Sequence, residues 1–196
     1  MGEHGATVRR GRSPRQLDFF SVSTLAGPFL VAIVLLGAGG ALKVVRPAFT
    51  ARAMGEMGLP ASPTTVRAGA LVELAIAAGA LVGGGRPLAA LVAASYAGFA
   101  LFVLAALRRG VPLSSCGCFG ADDTPSTAVH LGLNLAAAAV AGAVALTGSG
   151  AGGLTEITNL EGSLLLRVAF LASTAASVWL AYVALAVLPK LQVARR

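Results

Sequence analysis

Apolar runs about 20 residues long recur along this chain, separated by short polar or glycine-rich breaks, and they constrain its fold more than any other feature. A bilayer core about 30 Å thick takes about 20 apolar residues of helix to cross, and in lipid a backbone must satisfy its own hydrogen bonds. Each run is therefore predicted as a transmembrane helix. Five runs qualify, at residues 23–42, 66–82, 87–107, 125–146 and 163–188. The expected fold class is an all-α integral membrane protein, a four-helix transmembrane core plus a fifth C-terminal span. Composition agrees, since 56% of the 196 residues are hydrophobic, 12% are charged and the mean hydropathy is +0.81. Little chain remains for a soluble domain.

The breaks divide the chain into residues 1–22, a disordered basic tail; 23–147, a four-span membrane domain; 148–162, a glycine-rich connector; and 163–196, the fifth span with a basic tail. Arg9-Arg10 lacks the apolar segment that an export signal places soon after such a pair, and the first apolar run is too long for a cleaved signal peptide, so the first helix is expected to stay. In a soluble protein the net charge of +7 would suggest nucleic acid. Here the basic residues flank the apolar runs, where they set topology and meet lipid headgroups, and no basic stripe interleaves with aromatics. The lipid bilayer is the expected partner, and nucleic acid is excluded. The segment 43–65 is expected as a loop, in which Ala48, Phe49, Met54 and Met57 suggest a short interfacial helix.

Redox chemistry concentrates in Ser114-Ser115-Cys116-Gly117-Cys118-Phe119-Gly120, which holds both cysteines between the third and fourth spans. Two thiols one residue apart can close a small disulfide ring, with Gly117 and Gly120 free to take the positive φ that a tight loop demands. The plainer alternative is two small apolar residues side by side. With no third cysteine, electrons reaching the pair must leave to another protein or a small molecule. Metal binding by Cys116, Cys118, His130 and Asp122 fits no standard zinc spacing.

Two ionisable groups in the spans are candidates to move the accompanying protons. Glu73 lies roughly 12 Å inside the second span at 1.5 Å per residue, so it should face the bundle and be protonated or paired. Its plainer role is an interhelical hydrogen bond. His130, on one face of the fourth span with Asn134, is predicted just below the cysteine loop; Thr124-Pro125 reads as that span's N-cap and first helical position. A satisfied structural histidine is the alternative.

The Cys116-Gly117-Cys118-Phe119-Gly120 run after a third span, with Glu73 in the second and Gly58-Leu59-Pro60 before it, resembles the methylamine utilisation protein MauE family, which is related to DoxX-like membrane proteins. The resemblance covers about residues 25–146, leaving the N-terminal tail and the fifth span outside. It implies a polytopic inner-membrane protein tied to maturation of the disulfide-rich small subunit of methylamine dehydrogenase, through disulfide formation or subunit export.

Residues and resemblance together give the expected function: a membrane thiol-disulfide redox or maturation factor in which Cys116, Cys118, Glu73 and His130 carry the chemistry, partnered by a thioredoxin-like protein or an exported disulfide-containing client. Regenerating the disulfide requires an acceptor, for which a membrane quinone held between spans is the candidate, although the sequence carries no quinone motif. The alternative is a non-enzymatic assembly factor or small transporter whose cysteines only staple a loop. Orientation draws conflicting signals. A count of basic residues puts the cysteine loop inside, whereas Arg9, Arg10, Arg12 and Arg15 before the first helix, and the need for an oxidising compartment, put it on the outer face. The expectation adopted is the outer face.

Overall fold

The structure, a computed structural model, describes residues 24–110, 127–158 and 164–186. These form seven helices: α1 (Ala26–Val45), α2 (Pro47–Glu56), α3 (Pro63–Val82), α4 (Arg86–Arg109), α5 (Ala128–Thr147), α6 (Leu154–Thr158) and α7 (Leu164–Ala186). Five of them, α1, α3, α4, α5 and α7, are long and apolar enough to cross a membrane. The protein is thus all-α and multi-pass.

Local chemistry sets the helix ends. Pro47 lacks the N–H that would continue α1, so the chain breaks at Arg46 and restarts as α2. The α3 helix opens on a reciprocal cap: Ser62 Oγ accepts from the Thr65 N–H at 3.1 Å, and Thr65 Oγ1 accepts from the Ser62 N–H at 2.9 Å. Left-handed glycines, Gly110 at φ 61° and Gly148 at φ 78°, stop α4 and α5.

Two sequence boundaries are corrected. The first span runs on to Val45, so Lys43 belongs to the helix and not to the following loop. The fourth begins at Ala128, because Thr127 is extended (φ −125°, ψ 166°) and serves as its N-cap. Thr124-Pro125 and residues 1–22 lie outside the described residues.

The helices alternate in direction. One end of the bundle, the α2 end, carries the close of α1, the start of α3, the close of α4 and the start of α5; Arg109 secures it by donating from Nη1 to the Met57 carbonyl at 3.0 Å. The short helix expected in this segment is formed as α2, with Ala53 and Met57 buried against Ala106 of α4. At the opposite end, Arg86 donates from Nε and Nη2 to the Ala145 and Leu146 carbonyls, both at 2.8 Å, satisfying the last turn of α5.

At that second end the glycine-rich segment after α5 does more than connect. Gly85 N–H donates to the Ala151 carbonyl at 2.7 Å, and Ala151 joins the core cluster of Phe29, Ile33, Ala80, Val92 and Val144. A Cβ on Gly153, at φ +56°, would stand 2.3 Å from the Leu81 carbonyl oxygen, so only glycine fits this approach. The α7 helix lies along the outside of α1, where the Trp179 and Tyr182 rings sit 5.8 Å apart at a 34° tilt, with Trp179 65% exposed.

Candidate functional site: a buried ion pair between two cavities

Both helices that build the site keep a 3-4 spacing of buried residues. On α1 the inward face runs Phe29, Ile33, Leu36, Gly40, Lys43, and on α3 the corresponding row is Val66, Ala70, Glu73, Ala77, Ala80. Spacings of three and four keep a row on one helix face. The rows meet because small residues let the backbones approach: a Cβ on Gly40 would lie 3.1 Å from the Ala70 carbonyl oxygen and 3.2 Å from Leu74 Cγ. That approach sets Lys43 opposite Glu73.

Lys43 Nζ reaches Glu73 Oε2 at 2.7 Å and Oε1 at 2.9 Å, so one ammonium bridges both carboxylate oxygens. The side chains are 8% and 17% exposed. Of the two fates expected for Glu73, pairing is the one realised. Lys43 Nζ also sits 4.3 Å from the Phe99 ring centroid, a cation–π geometry. Phe99 is held edge-on by Tyr96, with centroids 5.9 Å apart, and Tyr96 donates its hydroxyl to the Ala32 carbonyl of α1 at 2.7 Å. Arg67 donates from Nε to the Val44 carbonyl at 3.2 Å, capping the end of α1.

Lys43, Glu73 and Phe99 line two cavities at once. One, of about 540 Å³, lies between α1, α4, α5 and α7; the other, of about 350 Å³, lies beneath α2 between α1, α3 and α4. The ion pair and the ring are thus the partition between them. Apart from the pair, the larger cavity is mostly aliphatic and aromatic, with Asn134 of α5 and Ser177 of α7 as further polar side chains.

His130 is fully buried in the first turn of α5. Its Nδ1 accepts from the Thr127 N–H at 3.3 Å and lies 3.0 Å from Thr127 Oγ1, so the imidazole completes the cap of its own helix. Accepting a backbone N–H requires the lone pair on Nδ1, which puts the proton of a neutral ring on Nε2. One turn deeper, Asn134 Nδ2 donates to the His130 carbonyl at 2.7 Å. Glu73 and His130 therefore do not meet: Glu73 pairs with Lys43, His130 with Thr127, and Asn134 is the residue of the histidine's row that reaches the cavity shared with Glu73. Cys116 and Cys118, with Asp122, lie outside the described residues; the helix ends that flank their connection, Arg109 and Thr127, are at the α2 end.

Sequence reasoning missed Lys43 as a site residue. The signal was present, because extending the α1 row by one further step of three past Gly40 lands on it. The proline two residues past Val45 bounds the helix beyond Lys43, not before it.

The chain matches the family described as Methylamine utilisation protein MauE over residues 21–148, a stretch that holds α1 to α5 and both cysteines. No curated protein and no solved structure matches it. A buried charge pair in a four-span core, with the cysteine connection between its last two spans, thus falls inside one family match over most of the chain. This multi-pass membrane protein belongs to the MauE family and is linked through it to methylamine utilisation.

Proposed function

We propose that the protein is a membrane thiol-disulfide exchange factor that supports disulfide formation in an exported client. One observation carries the reading furthest: the half of the bundle from which the Cys116–Cys118 connection emerges also holds a largely buried ion pair, Lys43–Glu73, on the walls of two cavities. An ionisable group at the depth of Glu73 is retained at a cost of at least about 2.5 kcal/mol, which favours a functional role.

In this reading a client thiolate attacks the Cys116–Cys118 disulfide, giving a mixed disulfide at Cys116 and a thiolate at Cys118. The second client thiol then displaces Cys116. The client loses two electrons and two protons; the pair gains both electrons and is protonated to the dithiol. His130, buried beside the start of α5, and Glu73 are the groups assigned to relay protons. The protein sits in the inner membrane with the cysteine connection on the outer face, where an oxidised pair persists. A thioredoxin-like protein or the disulfide-containing client is the exchange partner.

The test is the thiol state of exported disulfide-containing proteins in cells carrying Cys116→Ser, Cys118→Ser or both, read by mass-tag alkylation, with an impermeant maleimide reporting orientation. Each variant is expected to leave client thiols reduced, and one single variant to trap a mixed disulfide. Normal client oxidation in all three overturns the exchange reading in favour of an assembly factor whose disulfide is a staple. Labelling only after permeabilisation inverts the orientation and removes the oxidising compartment from the argument.

A further inference from the structure

The cavity of about 540 Å³ has the size of a small-molecule site and its usual construction, apolar walls with a few polar groups, Lys43, Glu73, Asn134 and Ser177, among them. It lies in part between α5 and α7, helices that touch sparsely, and this is the side from which a lipid-soluble ligand would enter. An acyl chain would fill the apolar part, yet it would leave the polar region without a partner.

The decisive group is Asn134. It is buried, at 8% exposure, and lines the cavity. Among the described residues its carboxamide makes one hydrogen bond, from Nδ2 to the His130 carbonyl. One N–H and the carbonyl oxygen therefore remain to be satisfied, and buried polar groups of this kind are normally matched. A carboxamide offering a donor and an acceptor together fits a ligand oxygen that is a carbonyl in one state and a hydroxyl in the other: the N–H donates to the carbonyl, the oxygen accepts from the hydroxyl. Lys43 and Glu73 line the same cavity and add a charged donor and a charged acceptor to its walls. Seven residues separate Thr127 from Asn134, so the polar region lies about 10 Å along α5 from the point where the cysteine connection joins it.

We infer that this cavity is a quinone site, entered laterally from the bilayer between α5 and α7, with the ring carbonyl against Asn134 and the Lys43–Glu73 pair. The oxidation step rests on the thiol-exchange reading above: the Cys116–Cys118 dithiol gives up two electrons and two protons and becomes the disulfide, and the quinone takes up both to become the quinol. Binding itself does not depend on that reading.

The protein holds a single tryptophan, Trp179, which precedes the cavity-lining Leu180 on α7 and itself faces a neighbouring cavity against α1, near enough for quinone binding to be read as quenching of its fluorescence. The experiment titrates ubiquinone-1 into the full chain in phosphatidylcholine nanodiscs. Saturable quenching is expected, weakened about tenfold by Asn134→Leu, which removes the N–H that donates to the ring carbonyl. Ala181→Phe, which fills the cavity from the α7 side, should weaken it at least as much, and the Cys116→Ser/Cys118→Ser double variant should bind as the wild type does. Quenching that rises linearly without saturation, as collisions in lipid would produce, overturns the site; so does saturation unaffected by Ala181→Phe. Far-UV circular dichroism of each variant verifies its fold. Saturable binding in a protein whose cysteine variants still oxidise clients sinks the exchange reading and leaves the quinone site standing.

Discussion

Deleting one charge of the Lys43–Glu73 pair is expected to destabilise the bundle far more than deleting both. At the observed 2.7 Å, and an effective dielectric constant of about 20, two unit charges attract by about 6 kcal/mol. Removing each ion from water costs several kcal/mol, so the intact pair contributes little net stability over an apolar replacement. Glu73→Leu abolishes the attraction and leaves the Lys43 ammonium, 8% exposed, with only the Phe99 ring at 4.3 Å among the described residues, a contact of about 1–2 kcal/mol. The net loss is about 3–5 kcal/mol. Lys43→Met orphans the carboxylate in the same way, whereas the double variant Lys43→Met/Glu73→Leu removes both desolvation penalties and should fall within about 1 kcal/mol of the wild type. Unfolding in mixed micelles on titration with sodium dodecyl sulfate, followed by circular dichroism, gives the three differences and a coupling of about 3 kcal/mol or more. Additive single losses, or singles within about 1 kcal/mol of wild type, would refute the reasoning by showing that water reaches the pair freely. The folded double variant then separates roles: without a proton-binding pair, client oxidation should slow by at least about a hundredfold. Unchanged turnover there would leave the pair a structural element.

Gly40→Val should separate α1 from α3 and cost about 1–3 kcal/mol, because a Cβ already meets Ala70 backbone oxygen at 3.1 Å and Glu73 Cβ at 3.4 Å; the control Gly98→Val, with nothing within 4 Å of its Cβ, should leave the thermal midpoint close to wild type, and equal losses for both would discount the close approach. Gly153→Ala should dislodge the segment after α5 from the α3–α4 turn, since the left-handed backbone disfavours the new Cβ and the Leu81 carbonyl blocks it; faster amide exchange at Gly85, whose N–H bonds to Ala151, is the expected result, and unaltered exchange would show that the two turns are not coupled.

The spans were legible because lipid imposes one requirement on every backbone, and a run of apolar residues advertises that it is met. Side-chain placement within the spans was harder to read. A hydropathy pattern marks Glu73 as an expensive group but carries no phase information about its partner, and Lys43, only two residues from the end of α1, has the position of an ordinary snorkelling lysine. What turns it inward is its place on the Phe29–Ile33–Leu36–Gly40 face, whose partner surface on α3 is recognisable only when both 3-4 rows are aligned. His130 illustrates the converse. The threonine three residues before it provides a capping partner for a histidine in the first turn, so its structural bond could have been read locally, and that bond does not compete with proton relay through Nε2. Asn134 carried no signal of its own beyond sharing the histidine's face, since a carboxamide bonded to the carbonyl four residues earlier is common in any helix. Its importance arises from the cavity, which is created by how far α7 stands from α5, a tertiary distance that no local pattern encodes. The charged pair was therefore recoverable from helix periodicity, whereas the ligand site was not, and that difference explains why Glu73 stood out in the sequence while its surroundings did not.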